Sequence, residues 1–524
     1  MSTPADPRVW GPPDSALDLF ARNVSTRYVA IFVDGAIGLV LLPFNVAHLG
    51  RAAYGLLMLA TSVTWFFGVL DLGYGSALVK FIAQYRARRD RTALNEIVST
   101  VAVIFAGLGV LCFAVMAVVA WRVGSLFNID AKDVRTAQYL LLIIGGYLSV
   151  RFPLAVFGAV VNGFQRYYFN NLVSISTSLL VAAVNVGVLS AGYGLVTLVA
   201  ATTTVRLLTL GIFAWNAYRA FPGLRVRTSL FRPERLREVS GFSVYMFVLD
   251  CAAKVNYSSD TMVIGAMLNT TAIAVWAVGQ RLSVLAQQLT GQLNDALFPT
   301  VVDSHAGDRH DRLQLILLHG TRLSLALAAP LCLGLIAVAP ALIQAWVGPQ
   351  FSGSVLPAQL LLLVVLVRIS TASANLILKG TGGHKLLAYT NSITALVNVL
   401  LSIGLARPLG LVGIAVGTLI PVAASTLFVI YPAACRRVGL SIARPLMDSI
   451  WPAMWPALVM ALVLWFAREL PPGGLFGVAV HLAAGALVYL GLFLVVAIGA
   501  EERRFYWTKL RGLVTRQRRT PAAA

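Results

Sequence analysis

The sequence is poor in charged residues, and acidic residues are the scarcest of them. Only 12% of its 524 residues are charged, with 21 Asp and Glu against 41 Lys and Arg. Soluble domains carry about 25% charged residues, so the composition excludes a soluble globular chain. Hydrophobic residues make up 58% of the chain and the mean hydropathy is +0.80, which indicates a membrane protein.

Cysteine is scarce as well. The four cysteines lie in or beside apolar runs without any paired spacing, which excludes a disulfide framework and a cysteine metal site. The polar start of the chain lacks the basic, apolar and cleavage regions of a signal peptide, and we expect nothing to be removed from it. No cofactor and no metal site are predicted.

Apolar runs of about 20 residues, long enough to cross a hydrocarbon core, recur along nearly the whole chain. They predict an all-α polytopic membrane protein with 14 transmembrane helices. The predicted spans are 28–49, 55–82, 94–120, 137–162, 169–190, 195–217, 242–265, 271–296, 316–345, 355–378, 386–405, 411–434, 449–467 and 475–499.

The basic residues outside these spans predict the orientation, because segments rich in Lys and Arg stay in the cytoplasm. With the N-terminus inside, twenty-nine cations fall in inner segments and six in outer loops. Both termini are therefore predicted to be cytoplasmic. This topology and contact with anionic membrane lipids explain the net charge of +20, so no nucleic acid partner is expected.

An internal repeat appears at an offset of 216 or 217 residues. The matching pairs are Asp34 with Asp250, Arg151 with Arg368, Gly163 with Gly380, and Gly194 with Gly410. We predict two pseudo-symmetric six-helix lobes that enter the membrane in the same direction, plus two C-terminal helices. The predicted domains are a cytoplasmic N-terminal segment 1–27, an N-lobe 28–218, a basic cytoplasmic linker 219–239, a C-lobe 240–435, the last two spans at 447–499, and a basic amphipathic cytoplasmic tail 500–524.

Ionisable residues inside the spans mark the candidate site. A charge at the centre of a membrane helix costs about 2.5 to 3.5 kcal/mol, so these side chains are expected to face a hydrated cavity between the two halves. Cationic groups at similar depth suit a diphosphate, because the planar donors of arginine match phosphate oxygens. The predicted substrate-binding cations are Arg151, Arg206, Lys254, Arg281 and Arg368.

Other polar residues in the spans admit two interpretations each. Asp34 and Asp250 are candidates either for ion coupling or for salt bridges, and Asp250 stands four residues before Lys254 on one helix face. Gln288 and Gln292 extend a polar stripe that lines a cavity or bonds neighbouring helices. Five in-span Asp nearly balance six in-span cations, which leaves the net charge of the cavity open.

A family resemblance is carried by three stretches. HLGRAAYGLLMLATSVTWFFGVLDLGYGSALVKFIAQ, residues 48–84, resembles the second-helix signature of polysaccharide-transport proteins, with its Leu-Gly, Tyr-Gly and Asp-Leu-Gly-x-Gly-x-Ala at similar spacing. VNGFQRYYFNN and LKGTGGHKLLAYTN resemble the loops after the fourth and tenth helices of that family. With the span count, the chain resembles the oligosaccharide flippase branch of the multidrug, oligosaccharidyl-lipid and polysaccharide exporter superfamily.

The resemblance implies a transporter and not an enzyme. Such a flippase moves a polyprenyl-diphosphate-linked oligosaccharide from the inner to the outer leaflet of a bacterial cell membrane by alternating access. Its product feeds the synthesis of O-antigen, capsule or exopolysaccharide. Membrane lipids are expected partners, and polysaccharide polymerase and chain-length proteins are further candidates.

Three other classes stay open. A lipid II-type flippase shares the predicted spans and cationic lobes, and only the Asp-Leu-Gly signature favours the polysaccharide branch over it. A cation-coupled multidrug antiporter of the same superfamily typically has twelve helices and an acidic, aromatic cavity. A membrane polysaccharide polymerase or glycosyltransferase usually carries a large outer loop or a soluble domain, whereas the longest predicted outer loop here is 122–136.

Overall fold

The structure is a computed structural model of the chain. It describes residues 16–67, 71, 73–240, 259–295, 297–467 and 474–497, without the side chains of 16–21, 24, 65–66, 291–295, 299 and 497. Every regular element in these ranges is helical, and the described residues contain no strand. The predicted all-α class is confirmed, while the terminal segment 1–15, the tail 500–524 and most of the seventh span lie outside the described residues.

Fifteen helices with defined bounds lie in the described ranges, apart from single turns and short 3₁₀ and π segments. In the first part of the chain these are α1 Ala16–Phe67, α2 Tyr74–Arg88, α3 Arg91–Trp121, α4 Val134–Gly163, α5 Tyr167–Ser190, α6 Leu195–Ala220 and α7 Thr270–Asp295. The remainder are α8 Phe298–Ala306, α9 His310–Val347, α10 Val355–Ser370, α11 Ala372–Gly380, α12 His384–Ser425, α13 Tyr431–Val438, α14 Trp451–Phe466 and α15 Gly474–Leu492.

Ten helical segments among the described residues are long and apolar enough to cross a membrane. Two of the segments contain a glycine with positive φ, Gly50 at 78° in α1 and Gly410 at 58° in α12. Each of these glycines falls in the gap between two predicted spans. A turn with positive φ favours glycine, because glycine adopts this backbone conformation without strain. Each of these segments therefore comprises two predicted spans, and the total of 14 stays a prediction.

The predicted second span, 55–82, is wrong as a single helix. The described part of α1 extends to Phe67, Asp71 and Gly73 are outside any α-helix, and α2 begins at Tyr74. Between them the carboxylate of Asp71 accepts a hydrogen bond of 3.0 Å from the Gly75 N–H, and Gly73 has a φ of 75°. The Asp-Leu-Gly-Tyr-Gly part of the signature thus breaks the helix and caps its continuation. The predicted tenth span, 355–378, is likewise divided at Thr371 into α10 and α11.

Packing divides the chain into two compact units. The first unit comprises the residues up to Arg281 together with Asn391–Thr418. Its helices α3 and α4 approach each other closely at Gly109. A Cβ added to Gly109 would stand 2.4 Å from the Ser149 carbonyl oxygen. The second unit comprises Leu282–Thr390 and the residues from Leu419 onward. The units do not coincide with the predicted lobes, whose boundaries stay predictions.

The second unit has two apolar cores. One joins α9, α10, α14 and α15, and the other joins α8, α9, α11 and α13. The described cysteines Cys112, Cys332 and Cys435 are buried free thiols, as expected of small apolar packing residues. Cys251 lies outside the described residues.

The internal repeat is visible in the packing of each unit. A Cβ on Gly163 would stand 2.4 Å from the Ile82 side chain, and one on Gly380 would stand 2.6 Å from the Val301 side chain. The repeat-related glycines therefore allow the same close approach, in the first unit to α2 and in the second unit to α8. This explains physically why both positions carry the residue that has no side chain.

Backbone geometry and hydrogen bonds repeat in the same way. Residues with positive φ recur as Arg89 with Asp308, Gln165 with Gly382, and Gly192 with Gly410. In the first unit the Asn95 amide donates to the Gly223 carbonyl at 3.0 Å, and in the second the Gln314 amide donates to the Val438 carbonyl at 2.8 Å. The offset seen in the sequence therefore corresponds to a structural repeat.

Candidate functional site

Arg281 is the predicted cation whose surroundings are defined most completely. It lies on α7 and is half-buried in the first unit. Its Nη2 donates to the carbonyl oxygens of Asp34 at 2.7 Å and Gly35 at 3.1 Å, both on α1. The structure thus brings together Arg281 and Asp34, two of the predicted site residues, through the main chain of Asp34.

The sequence of α1 makes room for this guanidinium. A Cβ on Gly38 would stand 1.6 Å from Arg281 Nη2, so only glycine leaves the space that the contact needs. The Nε of Arg281 is buried and has no hydrogen-bond partner among the described residues. Arg281 is therefore held on α1 through Nη2, and its buried Nε–H is left to donate.

A second polar cluster, not predicted as a site, lies around Asp260 in the first unit. Asp260 is 5% exposed, and its two carboxylate oxygens lie 3.3 and 3.2 Å from the Thr418 hydroxyl. Thr418 Oγ1 also lies 3.2 Å from the Ile414 carbonyl oxygen. Because the hydroxyl has a single proton, it donates to only one of these acceptors at a time.

The neighbouring amide of Asn398 completes this cluster. Asn398 is fully buried, and its Oδ1 accepts a hydrogen bond from Ser259 Oγ at 3.4 Å. Its Nδ2 has no hydrogen-bond partner among the described residues. Four residues further on, the buried Ser402 hydroxyl bonds the Ile414 carbonyl at 3.5 Å.

A glycine brings the two legs of α12 into contact beside this cluster. A Cβ on Gly417 would stand 2.8 Å from both the backbone nitrogen and the hydroxyl of Ser402. The chain reverses at Gly410, so Gly417 and Ser402 face each other across the hairpin. The close approach places Thr418 next to the buried residues of the first leg.

The oxygen cluster, defined as Ser259, Asp260, Asn398, Ser402 and Thr418, has the composition of a cation or proton site. Carboxylate, hydroxyl and carbonyl oxygens are hard ligands that suit small cations. Such groups are rare and costly inside a membrane unless they serve a function. The sequence signal was present, since Asn398 and Ser402 stand i, i+4 in an apolar span and Asp260 lies inside the predicted span 242–265.

The remaining predicted site residues are dispersed. Arg151 on α4 and Arg206 on α6 are exposed residues of the first unit, whereas Arg368 is half-buried in the last turn of α10 in the second unit. Asp34 and Gln288 are exposed. Lys254, Asp250 and the side chain of Gln292 lie outside the described residues. A shared cationic cavity stays a prediction.

The second unit contains a cavity of about 840 Å³ among α9, α10, α14 and α15. Its described lining is neutral, with Gln344, Gln359, Trp465 and His481 as the polar or aromatic members. Gln359 donates to the Ile336 carbonyl at 3.0 Å, and His481 Nδ1 bonds the Gly477 carbonyl at 2.8 Å. No predicted substrate-binding cation is among the residues described in its wall.

The fold belongs to a class of polytopic α-helical membrane transporters. The chain superposes on an inward closed conformation of the lipid II flippase MurJ with a TM-score of 0.70 at 15% identity, covering 89% of this chain and 97% of that one. It superposes on an outward-facing multidrug resistance transporter of the MATE family with a TM-score of 0.59 at 15% identity, covering 83% of this chain and 98% of that one. At these identities the likeness concerns the fold alone.

The chain belongs to the polysaccharide biosynthesis protein family, whose profile matches residues 20–305. It is 22% identical over 493 residues to the probable flippase AglR of Haloferax volcanii, which covers 92% of this chain and 97% of the relative. It is 24% identical over 414 residues to the uncharacterized membrane protein EpsK of Bacillus subtilis, covering 75% and 79%. The predicted family is confirmed, as is the expectation of a transporter rather than an enzyme.

Proposed function

We propose that the protein is a flippase that moves a polyprenyl-diphosphate-linked oligosaccharide from the inner to the outer leaflet for cell-surface polysaccharide synthesis. The observation that carries the proposal is the family match over residues 20–305. A relative named as a probable flippase that aligns over 92% of this chain adds support. The lipid II flippase and the multidrug transporters share the fold, so the family match favours the polysaccharide substrate over theirs.

The charged residues supply the chemistry for an anionic headgroup. Arg151 and Arg206 are exposed on two helices of the first unit that are predicted to span the membrane, where they can donate to phosphate oxygens while charged at any physiological pH. An inside-negative membrane potential favours outward movement of each negative charge by about 2.3 kcal/mol per 100 mV. The site is proposed to open to one leaflet at a time.

The oxygen cluster is proposed as the coupling site. Binding of a proton or small cation at Asp260 changes the charge of a side chain buried in the first unit, and such a change biases a two-state transporter. Asp34 and Asp250, the acids that the sequence suggested for ion coupling, stay a prediction in that role. The contacts of Asp260 with Thr418 provide its geometric support.

The cellular setting is part of the same proposal. We place the protein in a bacterial cell membrane with both termini in the cytoplasm, on the distribution of its basic residues. Polysaccharide polymerase and chain-length proteins are proposed to receive the product. Cross-linking of the protein in its native membrane tests these partners.

Translocation in vesicles tests the proposed function. The purified protein is reconstituted with a fluorescent polyprenyl-diphosphate oligosaccharide, and the fraction accessible in the opposite leaflet is measured over time. We expect protein-dependent translocation, and a loss of about tenfold or more when Arg151 and Arg206 are both changed to Ala, since charge-assisted hydrogen bonds are lost. Arg407→Ala, at an exposed predicted outer-loop residue, is the matched control.

The same assay separates the rival classes. Translocation of lipid II at the rate of the oligosaccharide lipid assigns the protein to the lipid II type. Cation-dependent drug efflux without movement of any lipid-linked sugar assigns it to the antiporters. Incorporation of sugar by the purified protein assigns it to the polymerases and transferases.

A further inference from the structure

The segment that follows α6, residues 221–239, is held against the first unit and is called the strap here. The Asn95 amide donates to Gly223 O at 3.0 Å and its Oδ1 accepts from Arg225 N at 2.9 Å. One turn further along α3, Ser99 Oγ bonds Arg225 O and Arg227 N, both at 3.2 Å. Side chains of α3 therefore satisfy the strap backbone as a neighbouring strand would.

The end of the strap is held by ion pairs. Arg235 pairs with Glu96 at 3.2 Å and with Glu238 at 3.2 Å, and Tyr85 of α2 donates to Glu238 at 2.7 Å. Arg232 adds a contact of 3.6 Å to Glu96. The charges of these two arginines are thus balanced inside the first unit.

Arg225 and Arg227 differ from that pair. The backbone of Arg227 is extended, with φ of −144° and ψ of 142°, and exposure alternates along this stretch. Leu224 is buried and Val226 is half-buried, while Arg225 and Arg227 are exposed. In an extended chain residues two apart share a face. Neither side chain has a carboxylate partner within the described part of the chain, so two exposed guanidinium groups extend from a backbone that α3 holds in place.

The end of α6 indicates how deep Arg225 and Arg227 lie relative to the bilayer. That membrane-spanning helix ends at Ala220, five positions before Arg225. In its last turns Arg219 lies over the Trp215 ring, 5.4 Å from the centroid, and Trp215 is 58% exposed. Exposed tryptophan beside arginine is typical of the membrane interface. Arg225 and Arg227 therefore lie at headgroup level or just beyond it.

We propose that Arg225 and Arg227 form a docking site for the phosphate headgroups of anionic phospholipids in the leaflet that the strap faces. Arginine binds phosphate oxygens with a planar fork of donors, and a strap fixed by α3 loses little freedom when it does so. Both side chains of the pair are exposed, which favours a headgroup at the surface over an enclosed ligand. The site is distinct from the proposed translocation chemistry.

Lipid titration of the purified protein tests the proposal. Phosphatidylglycerol and phosphatidylcholine are added separately, and bound lipid is counted by native mass spectrometry. Changing Arg225 and Arg227 together to Gln should weaken phosphatidylglycerol binding by about fivefold per arginine and leave phosphatidylcholine unchanged. The matched control changes two exposed arginines of the first unit, Arg135 and Arg407, to Gln and should retain phosphatidylglycerol binding.

A second variant separates geometry from charge. Changing Asn95 and Ser99 to Ala keeps every arginine but releases the strap, and it should lower phosphatidylglycerol affinity at an unchanged net charge. Equal phosphatidylglycerol binding by the wild type and the Arg225→Gln, Arg227→Gln variant overturns the proposal. Inorganic pyrophosphate is titrated in the same way. If the Arg225→Gln, Arg227→Gln variant loses affinity for pyrophosphate but not for phosphatidylglycerol, the pair binds a soluble anion and the proposal is overturned. The vesicle translocation assay reports independently on the proposed function.

Discussion

Two charged groups packed inside the first unit, Arg281 and Asp260, are satisfied in different ways. Arg281 donates to main-chain carbonyls of α1 at 2.7 and 3.1 Å, whereas Asp260 meets a side-chain hydroxyl on α12 at 3.2 Å. A helix carbonyl keeps its place and cannot titrate, while a hydroxyl rotates between alternative acceptors. The comparison indicates a structural anchor in Arg281 and an exchangeable group in Asp260.

The largest expected effect is on transport in Asp260→Asn. The substitution keeps the shape of the side chain and removes its negative charge, on which the affinity of an oxygen site for a cation depends. We expect gradient-driven translocation in vesicles to fall by about tenfold or more, with the dependence on sodium or pH gradient lost. Asp130→Asn, at an exposed residue of the predicted outer loop 122–136, is the control. A variant that responds to both gradients as the wild type does would contradict the assignment.

A steric test of the oxygen cluster comes second. In Gly417→Val the new Cβ meets Ser402 N and Oγ at 2.8 Å, and the two legs of α12 are forced apart. Overpacking of this kind costs about 3 kcal/mol, which thermal unfolding in detergent should show as a lowered midpoint. Gly404→Val, in the same helix where a Cβ meets nothing within 4 Å, is the control. Equal midpoints for both variants would mean that the hairpin contact carries no energy.

Gly38→Ala tests the anchoring of Arg281. The added methyl group occupies the place of Nη2, so the guanidinium leaves the Asp34 and Gly35 carbonyls and a buried donor goes unsatisfied, which costs about 2 kcal/mol. Gly107→Ala, where a Cβ meets nothing within 4 Å, should be neutral or stabilising because alanine favours helix. In an Arg281→Ala background the cost of Gly38→Ala should vanish, and a full cost there would refute the contact.

The sequence predicted the elements of the fold more completely than the site. Apolar length predicted the all-helical membrane class, and the turns at Gly50 and Gly410 fall where the apolar runs are interrupted. The break at Asp71 was missed because apolar residues flank it, although its capping residue and glycines were visible in the signature. Hydropathy indicates which residues are apolar enough to lie in lipid. It does not reveal that one helix stops and another begins within a single apolar run.

The site was harder to predict because membrane depth does not specify the face of a helix. Arg281 and Asp34 were both predicted as site residues, yet Arg281 contacts the main-chain carbonyl of Asp34 and not its carboxylate. Every residue type has a main-chain carbonyl, so the sequence gives no sign of this contact. The oxygen cluster joins Ser259 to Asn398 and Asp260 to Thr418, in each case more than a hundred positions away. Such a pairing depends on the tertiary packing of separate helices, on which a single sequence carries no direct signal.

The smallest expected effect lies outside the membrane, where Tyr85 donates to Glu238 at 2.7 Å. Burial, with this hydrogen bond, raises the pKa of Tyr85 from 10.0 to about 12. Because the folded state holds the proton more tightly, the stabilisation is complete below pH 10 and disappears as the pH rises through about 12. Tyr85→Phe should cost about 1 kcal/mol at neutral pH and lose less stability than the wild type between those values. Tyr139→Phe, at a side chain 57% exposed, should follow the wild-type unfolding curve. Parallel pH profiles for Tyr85→Phe and the wild type would show that the strap is held without this phenol.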